Sequence, residues 1–152
     1  MKTMTVVCPH CGKQNRLPVA ARGKPKCGKC HEPLPWIVDA GDADFSEIAE
    51  QASMPVLVDL WAVWCGPCRQ VSPVLARLAH ERAGQVKLVK VDVDKAPELS
   101  QRFYVQAIPT LLVLRGGAVV ARQTGAAPAN ILAGWLDRAL SSSEATTRQA
   151  GT

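Results

Sequence analysis

The chain of 152 residues is long enough for one domain with a small extra module. Hydrophobic residues make up 47 %, which supports a real core and excludes a wholly disordered chain. No apolar run approaches the roughly 18–20 residues of a membrane helix, and residues 1–7 lack the apolar stretch of a secretory signal. We therefore expect a soluble cytoplasmic protein without a membrane partner.

The net charge of +5 belongs to the N-terminal segment. Residues 1–40 contain seven Lys/Arg and two acids, whereas residues 41–152 contain eleven of each. A basic segment can approach nucleic acid or an acidic protein, and it can equally offset the thiolates of a metal site. Charge alone leaves these alternatives open.

Six cysteines form three pairs with one spacing: Cys8/Cys11, Cys27/Cys30 and Cys65/Cys68. A secreted disulfide scaffold is usually shorter, and in a reducing cytosol such CxxC pairs are typical of metal binding or redox catalysis. We expect both uses in this chain, by different pairs.

Residues 1–35 carry the first two pairs, fifteen residues apart, in the C-x₂-C-x₁₅-C-x₂-C pattern of a structural zinc site. The segment has almost no large apolar side chains, so metal would have to supply its folding free energy. Four thiolates leave no open position for water, so we expect one structural zinc ion without a hydrolytic role. The predicted ligands are Cys8, Cys11, Cys27 and Cys30, with His10 and His31 as spare candidates. The alternative is that these cysteines are free or redox-active.

Residues 36–140 alternate strand-like and helix-like stretches, and residues 141–152 have the composition of a flexible tail. The order of elements predicts an α/β fold, with a mixed central sheet flanked by helices. In chain order we predict a strand at Trp36–Asp39, a helix at Asp44–Gln51, a strand at Pro55–Ala62, a helix at Cys65–Ala83 kinked at Pro73, a strand at Val86–Asp92, a helix at Pro97–Phe103, hairpin strands at Leu111–Leu114 and Ala118–Arg122, and a helix at Pro128–Leu140.

The third cysteine pair lies in Trp64-Cys65-Gly66-Pro67-Cys68, where a buried strand meets a helix. A helix N-terminus stabilises the thiolate that attacks a disulfide. We expect Cys65 to be the more exposed sulfur and the attacking one, and Cys68 to resolve the mixed disulfide. The alternative is half of a metal site.

Asp59 interrupts an apolar strand, and burial of a carboxylate raises its pKa unless it is paired. It could take the proton from Cys68, although a solvent-facing aspartate is the simpler alternative. Lys90 in the neighbouring strand could pair with Asp59 or be an ordinary exposed lysine. Pro109 begins a buried strand without an N–H group, which leaves the flanking backbone free for an extended substrate.

The segment DLWAVWCGPC, followed by Pro73, AIPT and TGA, resembles the thioredoxin family over about Trp36–Leu140. The resemblance implies the thioredoxin fold, a cis bond before Pro109 and a buried proton relay at Asp59 with Lys90 nearby. It implies reduction of protein disulfides, recharging by an NADPH-dependent thioredoxin reductase and no bound organic cofactor. The substrate groove that it implies is formed by Trp64, Gly66, Pro67, Ile108, Thr110, Gly125 and Ala126.

Within this family a Gly-Pro dipeptide between the cysteines is typical of reductants, whereas oxidases and isomerases carry other pairs. The cysteine knuckles ahead of the domain resemble the zinc-binding thioredoxin 2 type of bacteria. Val63 and Ala107 depart mildly from the family pattern. A rival interpretation is a basic zinc ribbon that binds nucleic acid, but no aromatic residue precedes Trp36 for base stacking. We therefore expect a monomer that binds disulfide-containing proteins and no nucleic acid.

Overall fold

The computed structural model of the chain describes residues 2–150, with side chains as far as Ser141. It contains seven strands, three α-helices and one π-helical turn at Ser46–Glu50. The strands are β1 (Thr3–Val7), β2 (Gln14–Pro18), β3 (Ile37–Ala40), β4 (Val56–Trp61), β5 (Lys87–Asp92), β6 (Thr110–Arg115) and β7 (Ala118–Thr124). The helices are α1 (Gly66–Glu81), α2 (Pro97–Arg102) and α3 (Ala129–Ala150).

The central sheet has five strands in the order β3-β5-β4-β6-β7. β4 and β3 pair with β5 in parallel, whereas β6 pairs antiparallel with β4 and β7. Parallel neighbours need crossover connections, which α1 provides between β4 and β5, while the β6–β7 hairpin needs only the turn at Gly116. The mixed sheet predicted from the sequence is confirmed.

Successive residues of β4 point to opposite faces of the sheet, and both faces are covered. Val58 and Leu60 join the apolar cluster that includes Phe45. Leu57 joins the cluster beneath α1 and α3, which includes Leu75. Asp59 therefore lies on the α1 face, although every other residue of Val56–Leu60 is apolar and buried.

The N-terminal module is an antiparallel β1–β2 hairpin followed by a second turn. Sequence analysis predicted no strand here, because the segment has little hydrophobic periodicity. It also predicted almost no core, yet Val6 and Leu34 form a small buried cluster with Cys8 and Cys27. The predicted division of the chain at residue 35 stays a prediction.

Lys87 joins the module to the central sheet. Its side chain is completely buried, and its Nζ donates hydrogen bonds of 2.8 Å to the carbonyl oxygens of Val19 and Ile48. The ammonium also lies 3.8 Å from the centre of the Trp36 ring. Burial lowers the pKa of Lys87 to about 8. A buried charge with two carbonyl partners therefore holds the module against the domain.

The last helix, α3, continues to Ala150, past the end predicted at Leu140. Gly151 and Thr152 of the predicted tail lie outside the described residues. Among the helices that the structure describes, none combines the length and apolar character needed to cross a bilayer.

Candidate active site and metal site

Cys65 and Cys68 form a disulfide at the junction of β4 and α1, with their Cα atoms 5.3 Å apart. Cys65 is the N-cap of α1, and its extended backbone turns the sulfur back over the first helical turn. The Cys68 N–H donates to Cys65 Sγ at 3.1 Å. After reduction the same N–H and the helix N-terminus favour a thiolate on Cys65.

In the disulfide form both cysteines are buried, with residue exposures of 3 % for Cys65 and 4 % for Cys68. The prediction that the Cys65 sulfur is the more exposed of the two stays a prediction. What distinguishes Cys65 is its N-cap position. Its neighbour Trp64 is 68 % exposed, with the indole N–H donating to Asp94 Oδ2 at 2.8 Å.

The loop before β6 faces the disulfide. The Ile108–Pro109 peptide bond is cis, as the family resemblance implies. The Ile108 carbonyl oxygen lies 3.7 Å from Cys65 Sγ, and the Gly125 N–H donates to the Pro109 carbonyl at 2.8 Å. Thr110 is fully buried and its hydroxyl donates to the Ala107 carbonyl, so its side chain cannot reach a substrate.

Two open cavities include residues predicted for the substrate groove. One of about 450 Å³ is lined by Trp64 and Ile108 together with Val93 and Val105. The other, of about 400 Å³, is lined by Ala126 and by side chains of α1 and α3. Gly66 and Pro67 are exposed beside the disulfide and Gly125 is half-buried, but none of them lines either cavity.

Asp59 is a buried carboxyl beneath the redox pair's helix. It is 2 % exposed, and its Oδ1 has no hydrogen-bond partner among the described residues. Burial raises the pKa of Asp59 to about 6, against the opposing influence of the Lys90 charge. The solvent-facing alternative is therefore wrong, and Asp59 can exchange a proton near neutral pH.

Lys90 is opposite Asp59 across the β4–β5 pair, but it makes no ion pair with it. Its Nζ lies 3.1 Å from Ser72 Oγ and 5.1 Å from the centre of the Trp61 ring. The Trp61 ring thus faces this ammonium. Sequence analysis missed Ser72, since nothing in the α1 pattern distinguishes this serine from a solvated one.

A third cavity, of about 250 Å³, reaches Cys68 from the surface. It is lined by Cys68 and Ser72 on α1 and by Trp61, Ala62 and Val63 at the end of β4. A space of this size holds water, which can carry a proton between polar groups.

The four N-terminal cysteines converge on one point. Their sulfurs all lie within 4.8 Å of one another, with Cys8 Sγ 3.6 Å from Cys30 Sγ and Cys11 Sγ 3.5 Å from Cys27 Sγ. Such a cluster of thiol ligands can bind a metal ion. His10 and His31 are exposed and are not part of it.

The two cysteine knuckles have the same hydrogen bonds. The Cys8 N–H donates to the Lys13 carbonyl oxygen, and the Cys8 carbonyl oxygen accepts from the Gly12 N–H, both at 2.9 Å. In the second knuckle the Cys27 N–H donates to the Glu32 carbonyl oxygen at 2.9 Å, and the Cys27 carbonyl oxygen accepts from the His31 N–H at 3.0 Å. Gly12 and His31 occupy the same place and both have a positive φ, 77° and 66°. Each knuckle is thus a preformed turn that points two sulfurs the same way.

Asn15 links the two knuckles, and sequence analysis missed it. Its Oδ1 accepts from the Gly28 N–H at 2.9 Å, and its Nδ2 donates to Cys27 Sγ at 3.6 Å. The N–H groups of Cys30 and Lys29, with the Asn15 amide, lower the pKa of Cys27 to about 5. The module therefore stabilises at least one thiolate in a metal-binding position.

This combination of fold and dithiol site defines a thiol–disulfide oxidoreductase. A family model described as thioredoxin matches residues 36–138, and the chain belongs to the thioredoxin family.

Two relatives show how far the likeness extends. Thioredoxin C-3 of Corynebacterium nephridii is 38 % identical over 140 residues, which cover 90 % of this chain and 96 % of the relative. The thioredoxin of Haemophilus influenzae is 44 % identical over 102 residues, 67 % of this chain and 95 % of that protein. The first alignment is long enough to include most of the N-terminal module as well as the domain.

A third relative is larger. The bifunctional thioredoxin reductase/thioredoxin of Mycobacterium leprae is 44 % identical over 89 residues, 59 % of this chain and 19 % of that protein.

Proposed function

We propose that this protein reduces protein disulfides through Cys65 and Cys68 and is recharged by thioredoxin reductase with electrons from NADPH. The observation that carries the proposal is the dithiol pair at the N-terminus of α1, beside the Ile108–Pro109 loop. The name of the Mycobacterium leprae relative, which joins a reductase to a thioredoxin, supports the choice of recharging partner.

The reaction transfers two electrons in two exchange steps. The Cys65 thiolate attacks one sulfur of the substrate disulfide, forms a mixed disulfide and releases the other substrate sulfur as a thiolate. Cys68 then loses its proton and attacks Cys65 Sγ, which releases the second substrate thiolate and leaves the Cys65–Cys68 disulfide. In this proposal Asp59 accepts the Cys68 proton, with Lys90 as the nearby charge.

Substrate contacts come from the surface around the disulfide. Trp64, Gly66 and Pro67 lie on one side, and the backbone of Ile108, which precedes Pro109 and the buried Thr110, offers polar groups to an extended peptide. Gly125 and Ala126 complete the proposed groove. The apolar cavity beside Trp64 suits a hydrophobic side chain flanking the substrate cysteine.

The test is reduction of an accessible protein disulfide by the protein, with NADPH and thioredoxin reductase as the electron source. We expect turnover by the wild-type chain and none by Cys65→Ser. A reduction potential in the range of thioredoxins separates a reductant from an oxidase or isomerase. A strongly oxidising potential, or no reaction with the reductase, would contradict the proposal.

We also propose that Cys8, Cys11, Cys27 and Cys30 bind one structural zinc ion, as in the zinc-binding thioredoxin 2 type. A tetrahedral zinc site with Zn–S of about 2.3 Å has sulfur–sulfur edges of about 3.8 Å. The edges of 3.6 Å and 3.5 Å found here are compatible with it. Bound zinc would cross-link the two knuckles and leave no position for a substrate. Metal analysis of the purified protein tests this, with one zinc per chain expected.

We also propose that the protein is cytoplasmic and monomeric and that its chain divides into three segments. These segments are the metal module at residues 1–35, the thioredoxin domain at residues 36–140 and a tail at residues 141–152. Light scattering at working concentration tests the monomer, with a mass near 16.3 kDa expected.

A further inference from the structure

Ser72 lies one helical turn after Cys68 on α1 and contacts the only charged side chain near Asp59 that the described residues offer. Its Oγ is 3.1 Å from Lys90 Nζ. An ammonium group can only donate, so the serine hydroxyl accepts this hydrogen bond and keeps its own proton for another partner. Ser72 and Cys68 also line the same cavity of about 250 Å³.

Lys90 stands between two aspartates in the sheet. It is the register partner of Asp39 on β3 and of Asp59 on β4, so the three side chains form a row on one face. Asp39 is exposed, whereas Asp59 is buried. The ammonium can therefore lie inward, against Ser72 of α1, or turn outward, toward solvent and Asp39.

Other charged groups also act on the outward position. Lys90 lines an open cavity of about 440 Å³ together with three aspartates and two further lysines, one of which is Lys2 of the N-terminal module. The charged residues around this cavity, besides Lys90, are Lys2, Asp39, Asp44, Asp92 and Lys95. Hydrated carboxylates on this side attract the ammonium outward at no desolvation cost.

We propose that Ser72 is a positioning residue, which holds the Lys90 ammonium against α1, on the face of the sheet that carries Asp59, and so controls the proton affinity of the relay carboxyl. The helix α1 covers the inner face of β4 and β5, and the Ser72 hydroxyl is the hydrogen-bond partner that this helix gives to Lys90. The opposing influence of Lys90 on the buried Asp59 carboxyl depends on this placement, because charge interactions weaken with distance.

Removal of the hydroxyl has a defined consequence. Without Ser72 as acceptor, Lys90 turns toward the hydrated aspartates, and Asp59 loses the nearby positive charge. The pKa of Asp59 then rises further above about 6, because burial raises this pKa and the Lys90 charge, which lowers it, has moved away. From the Coulomb energy of a few ångströms of displacement, we expect a rise of about half to one pH unit.

The test is a titration of the Asp59 carboxyl by ¹³C NMR in the oxidised protein, where the redox cysteines do not titrate. We expect Ser72→Ala to raise the midpoint and Ser72→Thr, which keeps the hydroxyl, to leave it near the wild-type value. In a Lys90→Met background, Ser72→Ala should add no further shift. An unchanged midpoint in Ser72→Ala, or a shift that persists without Lys90, would overturn the proposal.

The role of Ser72 rests on the proposed relay function of Asp59, but the titration measures it independently. The rate at which Cys68 resolves a mixed disulfide should be measured between pH 6 and 9 in the same variants. If the relay operates, the pH midpoint of that rate moves with the Asp59 titration. A shifted titration with an unchanged rate profile would remove the relay from the mechanism while the positioning role of Ser72 stands.

Discussion

The redox site and the N-terminal module use the same CxxC spacing, but the module brings together sulfurs of two different motifs. In the redox site the two cysteines of one motif are bonded to each other, across the first turn of α1. In the module sulfurs of different motifs lie close together, with Cys8 3.6 Å from Cys30 and Cys11 3.5 Å from Cys27. The CxxC spacing therefore does not distinguish redox chemistry from metal binding. The conformation of the local backbone distinguishes them.

The physical difference lies in the turn that follows each first cysteine. A helix places residues i and i+3 on one side, so Cys65 and Cys68 face each other beside an N–H that favours a thiolate. Each knuckle instead closes on a residue with positive φ, Gly12 or His31, and the sulfurs of both knuckles lie within 4.8 Å of one another. One arrangement favours exchange of electrons, and the other favours shared coordination of a metal.

The largest expected effect is loss of the redox chemistry. Cys65→Ser should abolish reduction of a protein disulfide, because Cys65 is the N-cap of α1 and its sulfur accepts the Cys68 N–H that favours a thiolate. Cys11→Ser is the matched control, since it removes a cysteine with the same spacing. It should keep the catalytic chemistry and lose metal. If Cys11→Ser were as inactive as Cys65→Ser, the claim that the N-terminal cysteines take no part in disulfide reduction would be wrong.

The next largest effect is expected from removal of metal. Structural zinc contributes about 10–16 kcal/mol of binding free energy in small modules, far more than the small cluster around Val6 and Leu34 can replace. Chelation should therefore expose the amides of β1 and β2 to hydrogen exchange while β4 and β6 stay protected. Equal loss of protection in both regions would show that the domain depends on the module.

A smaller effect is predicted for Asp59→Asn. The folded protein binds the Asp59 proton more tightly than the unfolded chain, with a pKa of about 6 against 3.8. This carboxyl therefore makes folding less favourable as pH rises from about 4 to 6, by up to about 3 kcal/mol above that range. Asp59→Asn should stabilise the protein at pH 7 and change it little at pH 4.

Urea unfolding at the two pH values measures this difference. Asp39→Asn, at an exposed position on β3, which is separated from β4 by β5, is the matched control and should have little effect at either pH. A gain in stability that is equal at pH 4 and pH 7 would contradict a buried, ionised Asp59.

The smallest effect concerns Asn15, which bridges the knuckles without being a ligand. Asn15→Ala should weaken zinc binding by about 10- to 100-fold, as is usual for loss of a group that orients a metal ligand. Competition with a chromogenic chelator measures the affinity, and Asn130→Ala at an exposed position of α3 is the control. An unchanged zinc affinity in Asn15→Ala would show that Asn15 stabilises only the turn and does not orient a metal ligand.

The sequence predicted those features that depend on local pattern. The apolar run of β4, the periodicity of α1 around Leu75 and the carboxyl of Asp59 within β4 all indicate their environment directly. The β1–β2 hairpin was missed because its packing relies on sulfurs and on a few scattered apolar residues, without a regular alternation.

Features that depend on tertiary contacts could not be predicted. In the sequence Lys87 is simply a polar residue at the start of a strand. Only the fold brings the carbonyl oxygens of Val19 and Ile48 to its ammonium, so that the buried side chain connects the N-terminal module to the sheet. The sequence left open whether Lys90 pairs with Asp59 or is an exposed lysine, and only the structure shows that the partner of its ammonium is Ser72 on the covering helix. The near-equal burial of Cys65 and Cys68 likewise reflects how the surrounding loops pack.

The central claim is that one pair of cysteines exchanges electrons while the other four serve as metal ligands. The most direct test follows all six cysteines by differential alkylation and mass spectrometry, in reduced, zinc-loaded protein before and after one turnover with a disulfide substrate. The account predicts that only Cys65 and Cys68 become oxidised, while Cys8, Cys11, Cys27 and Cys30 stay as thiolates with one zinc retained. Oxidation of any of these four in step with substrate reduction would contradict it.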